Sequence, residues 1–206
     1  MTRATLPPQI VETRLVVVAR RLDDEIYEAL EELANASERL VFEVTLDDPR
    51  AVQRIRTLAA RGRTVGAGTV LTRDAAQGAL DAGAQFLVSP FLDEELVAEF
   101  TAQGVPFIPG AMTPSEIVRA WDAGAPLVKI FPASVTGPAL LRELRGPLGH
   151  VPLMPTGGIS AAHAAAFLSA GAAAVGVGGS LTGGRAGEIA TRWAELRGVV
   201  ESTRVG

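Results

Sequence analysis

One side chain stands apart in this sequence of 206 residues. Lys129 is its only lysine, set in the apolar run Leu127-Val128-Lys129-Ile130-Phe131, while the other 18 of its 19 Lys and Arg residues are arginine. A guanidinium stays protonated under any ordinary condition, whereas an amine can shed its proton and add to a carbonyl carbon. The apolar, partly β-branched neighbours read as a strand, and burial in such a run disfavours the charged form of an amine. Covalent addition to a keto group is therefore open to Lys129. The plainer use of a lysine at a strand end is to snorkel to water, so its neighbours must decide.

Those neighbours are polar residues at the ends of other apolar runs. Arg20 closes the first run, Glu43 and Thr45 sit late in the second, Thr69 in the third and Thr156 at the end of the seventh. Alternation along a strand puts Glu43 and Thr45 on one face, and Leu127, Lys129 and Phe131 on one face of another strand. A carboxylate that can move protons could thus meet the amine, although a purely structural ion pair of Glu43 with Arg20 or Lys129 would leave the same pattern. Threonine also suits strands for packing alone. Two glycine clusters follow the last two runs, Thr156-Gly157-Gly158-Ile159-Ser160 and Gly176-Val177-Gly178-Gly179-Ser180. Turns without side chains, opening onto helix N-termini, can offer N–H groups to a phosphate; they can also be tight turns and nothing more. Pro90, the Pro109-Gly110 pair and Phe131-Pro132 end the fourth, fifth and sixth runs, as rigid loop starts or as pocket wall. His150 and His163 have no partner pattern and read as surface or helix residues.

The elements that must carry these residues repeat. Eight apolar runs (residues 15–19, 40–46, 64–71, 86–90, 106–110, 127–131, 152–156 and 173–178) start every 20 to 26 residues or so, with alanine-rich amphipathic stretches between them. That is the period of βα units, and near-continuous apolar strands imply a parallel sheet covered by helices. Asp48-Pro49 and Thr113-Pro114-Ser115-Glu116 are helix starts, the second a capping box, and Thr72, Asp93 and Ser160 can open three further helices. Gly83, Gly104, Gly124 and Gly171 are placed as C-terminal stops. Nothing divides the chain, so residues 1–206 are expected to form one domain: an α/β fold, a single (β/α)8 TIM barrel with a short N-terminal extension. An open doubly wound sheet is the alternative. It would put its site at a topological switch point, whereas a barrel gathers the C-terminal ends of all strands into one mouth.

Composition removes several classes. A net charge of -4 shows no basic excess, so neither a nucleic-acid nor an acidic-membrane surface is expected. With no Cys and only His150 and His163, no metal site is expected. Met1 to Ile10 lacks the apolar core of a signal peptide, and the alanine-glycine span 164–181 reads as helix, turn and strand rather than a membrane segment. The expected location is cytoplasmic.

Eight short motifs, taken in order, resemble the KDPG (2-dehydro-3-deoxy-phosphogluconate) / 4-hydroxy-2-oxoglutarate aldolase family: Phe42-Glu43-Val44-Thr45, Gly66-Ala67-Gly68-Thr69-Val70, Val88-Ser89-Pro90, Pro109-Gly110, Thr113-Pro114-Ser115-Glu116, Lys129-Ile130-Phe131-Pro132-Ala133, Pro155-Thr156-Gly157-Gly158-Ile159 and Gly176-Val177-Gly178-Gly179-Ser180. The resemblance implies a (β/α)8 barrel, assembled as a homotrimer, that cleaves a 6-phosphorylated 2-keto-3-deoxy sugar acid, 2-dehydro-3-deoxy-6-phosphogluconate, to pyruvate and an aldehyde such as glyceraldehyde 3-phosphate. It implies no cofactor beyond a covalent Schiff base on Lys129, and no metal. Under it, Glu43 is the proton-transferring carboxylate and Thr69 and Thr156 contact pyruvate. Phe131 and Pro90 are pocket walls, and Gly157, Gly158, Gly178, Gly179 and Ser180 hold the phosphate or distal end. Arg20 and Thr45 complete the substrate-binding set. The sequence departs from the family pattern at Asp47, where some members carry arginine, and at Phe91, where many carry glycine; both departures bear on the substrate. An unphosphorylated substrate such as 4-hydroxy-2-oxoglutarate, another phosphate-binding barrel, and a non-catalytic binding barrel are the competing readings.

Overall fold

A computed structural model of the chain describes residues 3–36 and 39–203. Its strands are β1 (Leu15–Ala19), β2 (Val41–Thr45), β3 (Thr64–Gly68), β4 (Leu87–Val88), β5 (Phe107–Ile108), β6 (Gly110–Ala111), β7 (Val128–Ile130), β8 (Leu153–Pro155) and β9 (Val175–Val177). Helices alternate with them, after an opening helix Pro8–Thr13. All strand pairings among the described residues are parallel, in a curled six-stranded sheet of order β5-β4-β3-β2-β1-β9 and a three-stranded sheet β6-β7-β8.

Each expected strand is found, mostly one to three residues shorter, and the fifth is split in two. Pro109 is the cause of the split. Having no N–H, it cannot continue the ladder from Phe107–Ile108 into Gly110–Ala111, although its carbonyl still accepts from Lys129 N at 2.9 Å. Between the sheets on the other side stand a bridge pairing Thr156 with Gly176 and a bond from Ala173 N to Leu153 O at 2.9 Å.

Strand alternation sorts side chains into two sets. Val17, Phe42, Leu87, Val128, Leu153 and Val175 belong to the large cluster that also contains the helix residues, such as Ile55, Phe100, Ile117 and Phe167. Val16, Val41, Phe86, Ile108, Leu127 and Met154 form a second cluster on the opposite face, closed by Ile10 from the opening helix. Glu43 is two residues beyond Val41, and Lys129 two beyond Leu127, so both share that second face. The apolar cluster is thus the floor on which the polar residues stand.

The helix punctuation follows the expected chemistry. Thr72, Asp93 and Ser160 each accept a bond from the N–H three residues on, and Thr113 and Glu116 form a full capping box. Gly83, Gly104, Gly124 and Gly171 take positive φ just past four helix ends. Asp48 differs from expectation. Its helix begins later, at Ala51, and its carboxylate is committed instead to Arg54 at 2.8 Å and to the Arg50 N–H at 2.9 Å. Among the described residues, no helix is long and apolar enough to cross a membrane.

Candidate active site

Lys129 and Glu43 meet. Lys129 Nζ lies 3.4 Å from Glu43 Oε1, with the two side chains 6% and 1% exposed. Their strands are not neighbours, so the pair forms across the curl of the fold rather than along one ladder. Small residues make this possible. A Cβ built on Gly68 would lie 2.1 Å from Glu43 Oε1, and one on Gly176 would lie 2.4 Å from Thr156 Oγ1. Glycine at each position therefore leaves the space that Glu43 and Thr156 fill. The amine also lies 5.1 Å from the centroid of the Phe131 ring, whose face attracts a cation and limits where the amine can swing.

Glu43 Oε2 is buried and has no hydrogen-bond partner among the described residues. A buried acceptor left without a donor is costly, and in a cavity the donor it waits for is a water or a substrate hydroxyl. A cavity of about 850 Å³ supplies the room, comfortably enough for a six-carbon phosphorylated acid. Around it stand Arg20, Glu43, Thr45, Thr69, Pro90, Lys129, Phe131, Thr156, Gly157, Gly158, Gly178, Gly179 and Ser180. The thirteen residues assigned to the site from the sequence thus line one space, while Asp47 and Phe91 do not line it. The second cavity described, lined by Glu12, Trp193 and Arg197 among others, holds only about 50 Å³.

Five further residues line the cavity: Val18 and Thr182, and from the two glycine clusters Ile159, Ser160 and Gly176, to which no individual role is given by the sequence. Val18 and Gly176 share the inward face of β1 and β9, which strand phase could have revealed. Ser160, the last residue of the first glycine cluster and the cap of its helix, also borders the cavity. Thr69 has φ +58, an uncommon conformation for a β-branched residue and one that recurs where function fixes a side chain.

The glycine turns do not all behave alike. Gly157 and Gly158 have φ of +97 and +71, and a Cβ on them would approach the Phe131 ring at 3.3 Å and Ser134 Cβ at 2.8 Å. Turn geometry alone accounts for these two. Gly179 has no such need: a Cβ there would meet nothing within 4 Å. Its lack of a side chain keeps the cavity open. His163 is an exposed helix residue, as the sequence reads it, and its Nδ1 lies 3.2 Å from the Gly158 carbonyl, linking the helix Ala161–Ser169 to that turn.

At the rim, Asp47 receives Arg20 through Nη2 at 2.9 Å and Nε at 3.0 Å, and Arg21 through Nε at 3.3 Å. Burial works against the Asp47 charge, but the Thr45 hydroxyl and the two guanidiniums outweigh it and hold the carboxyl below its usual value. Among the described residues no cluster of His, Cys, Asp and Glu is suited to a metal ion.

Comparison with known proteins agrees with this geometry. A family model described as KDPG and KHG aldolase matches residues 9–193. A protein of Rhizobium meliloti (strain 1021), named as a probable 2-dehydro-3-deoxy-6-phosphogalactonate aldolase, is 32% identical over 198 residues, covering 93% of this chain and 92% of that one. The KHG/KDPG aldolase of Escherichia coli (strain K12) is 38% identical over 157 residues, covering 75% and 73%. The solved structure of a KDPG aldolase from Legionella pneumophila, with pyruvate captured as a covalent carbinolamine, superposes with a TM-score of 0.78 at 27% identity, covering 96% of this chain and 98% of that one.

Proposed function

The chain belongs to the KDPG and KHG aldolase family, and on that footing we propose that it is a metal-independent class I aldolase acting on a 6-phosphorylated 2-keto-3-deoxy sugar acid, with Lys129 as the Schiff-base residue. The observation that carries the reading is the buried Lys129–Glu43 pair, 3.4 Å apart in a cavity of matching size.

The reaction runs in balanced steps. The Lys129 amine adds to the C2 carbonyl to give a carbinolamine, which loses water to become an iminium. Glu43 takes the proton of the C4 hydroxyl as the C3–C4 bond breaks, the bond's electron pair flows into the iminium, and an aldehyde departs from the resulting enamine. For 2-dehydro-3-deoxy-6-phosphogluconate that aldehyde is glyceraldehyde 3-phosphate. C3 is then protonated, and water hydrolyses the iminium to release pyruvate and the free amine. The unpartnered Glu43 Oε2 is the oxygen left to take these protons, since Oε1 faces Lys129.

Thr69 and Thr156 are assigned to the pyruvate part, Phe131 and Pro90 to the walls, and the turns at Gly157-Gly158 and Gly178-Gly179-Ser180 to the phosphate. The relatives act, by their names, on epimeric phosphorylated acids and on KHG, and the proposal commits to the phosphorylated class. We read the two sheets as one closed (β/α)8 barrel of a single domain. The Thr156–Gly176 bridge on one side, and the one-residue interruption at Pro109 on the other, support that closure. A cytoplasmic homotrimer belongs to the same proposal, on the family resemblance.

The test is borohydride reduction in the presence of pyruvate, read by intact mass and peptide mapping. A reduced adduct on Lys129 alone is expected. No adduct, or an adduct that persists in Lys129→Ala, would refute the mechanism. A coupled pyruvate-release assay over phosphorylated and unphosphorylated 2-keto-3-deoxy acids of both C4 configurations identifies the substrate.

A further inference from the structure

Among the described residues that line the cavity, only Arg20 and Lys129 carry positive charge. Lys129 is consumed by the covalent step, so Arg20 is the one lining cation left for an anionic group of the substrate. It is a poor anchor by itself, because its side chain is 57% exposed and a long arginine surrenders considerable rotamer freedom when it binds. Asp47 changes that. Both Nε and Nη2 of Arg20 point at the single oxygen Asp47 Oδ2, at 3.0 and 2.9 Å, which holds one edge of the guanidinium and leaves the Nη1 edge without a partner among the described residues. Asp47 is only 17% exposed and is not itself among the cavity's lining residues. The carboxylate therefore stands behind the guanidinium, and the guanidinium stands at the cavity.

The surrounding backbone is built around this contact. Arg21 adopts φ +46, a left-handed conformation that a residue with a long side chain rarely takes; its Nε donates to the Asp47 carbonyl at 3.1 Å and lies 3.3 Å from the carboxylate as an ion pair. One residue on, the Leu22 carbonyl accepts from Arg50 Nη2 and from the buried Arg54 Nη2, each at 2.9 Å. The turn after β1 is thus tied by side chains from the segment after β2, beginning with Asp47.

Building on the aldolase reading, we propose that Asp47 is a positioning residue that sets Arg20 to receive an anionic oxygen group of the substrate, either the C1 carboxylate or the distal phosphate. Its negative charge lies on the far side of Arg20 and acts by orientation, in the way that a supporting shell fixes a binding group.

Steady-state kinetics of Asp47→Ala, Asp47→Asn, Asp47→Glu, Arg20→Ala and the double variant Arg20→Ala/Asp47→Ala test it, with thermal melts to confirm folding. Asp47→Ala is expected to raise KM roughly tenfold, the scale of one charge-assisted hydrogen bond, with kcat changed far less. Asp47→Glu should recover most of the loss, and Asp47→Asn keeps the test alive if the alanine variant folds poorly. On the Arg20→Ala background the second substitution should add almost nothing. A KM that is unchanged or lower in Asp47→Ala and Asp47→Asn, or an equal further loss on top of Arg20→Ala, overturns the assignment. Pyruvate trapping by borohydride separates the two sources of charge. A trapping half-saturation that weakens in Asp47→Ala assigns Arg20 to the carboxylate, and unaltered trapping with KM raised only for phosphorylated acids assigns it to the phosphate. Failure of the unmodified protein to trap pyruvate would refute the aldolase reading, and this inference with it; normal trapping without any Asp47 effect refutes this inference alone.

Discussion

Replacing Gly68 with alanine should disable the site without touching any residue that does chemistry. Gly68 closes β3 beside Thr45, and its added Cβ would fall 2.1 Å from Glu43 Oε1, 2.5 Å from Cγ and 2.7 Å from Cδ. Real Cβ contacts do not come below 3.0 Å, so the carboxylate oxygen must retreat by about 0.9 Å. Glu43 is 1% exposed, and the space open to it is the cavity it lines, so the retreat shifts the carboxylate within the site itself. Its distance to Lys129 Nζ starts at 3.4 Å, at the outer edge of a hydrogen bond. A shift of that size is enough to break this contact or to turn the proposed proton acceptor off the substrate. Displacements of about 1 Å in a reacting group can cost on the order of 100-fold, and complete loss of a general acid–base costs about 10²- to 10⁴-fold. Gly68→Ala should therefore lower kcat by roughly 100-fold or more. Pyruvate release in a coupled assay reads the rate, and a thermal melt shows that the variant is folded. Gly78→Ala is the matched control, since a Cβ there meets nothing within 4 Å and its helix should gain slightly. A folded Gly68→Ala with a near-normal kcat would show that the position of Glu43 does not limit the reaction.

Glu43→Gln removes the proposed proton acceptor with little change of shape and should lower turnover about 100-fold or more; a rate near that of the unmodified protein would make the carboxylate an ion-pair partner of Lys129 only. Gly179→Val has room for its side chain, which would project into the cavity, so the ratio of kcat/KM for phosphorylated over unphosphorylated acids should collapse while pyruvate trapping persists; a preserved ratio would remove Gly179 from the phosphate site. Asp48→Ala would take the acceptor from Nη1 of the buried Arg54, whose Nη2 keeps the Leu22 carbonyl and Asp24, and should cost about 1–3 kcal/mol in denaturant unfolding, a loss of under about 0.5 kcal/mol being the contrary result. Acid should expose the same group. Burial raises the Asp48 carboxyl, but the Arg50 N–H, the Arg50 side chain and the Arg54 charge together hold it below the usual value of 3.8. With the folded value depressed, its contribution is present above about 3.8 and is lost as pH falls through the folded value, so Asp48→Asn should flatten the acid limb of a stability–pH curve.

How far the sequence could be read depended on whether a feature was local. Lys129 was conspicuous because one amine among 18 arginines marks itself, and the strand phases of residues 41–45 and 127–131 put both reactive groups on inward faces without knowledge of the fold. Capping residues were legible for the same reason, since Thr113 and Glu116 satisfy each other within one turn. Asp48 was misread because its preferred partner, Arg54, competes from outside the local pattern. The space at Gly68 and Gly176 was invisible, since a glycine in a strand reads as a weak point until the side chain that fills its place is known. The same holds for Asp47. As a departure from a motif it looked like the loss of a cationic anchor, but in three dimensions it faces Arg20 from a neighbouring strand end. Arg20 already occupies the inward end of β1, so an acid at position 47 need not subtract a charge from the cavity. It can fix the charge already there, which turns an apparent defect in the motif into a second way of building the same anion site.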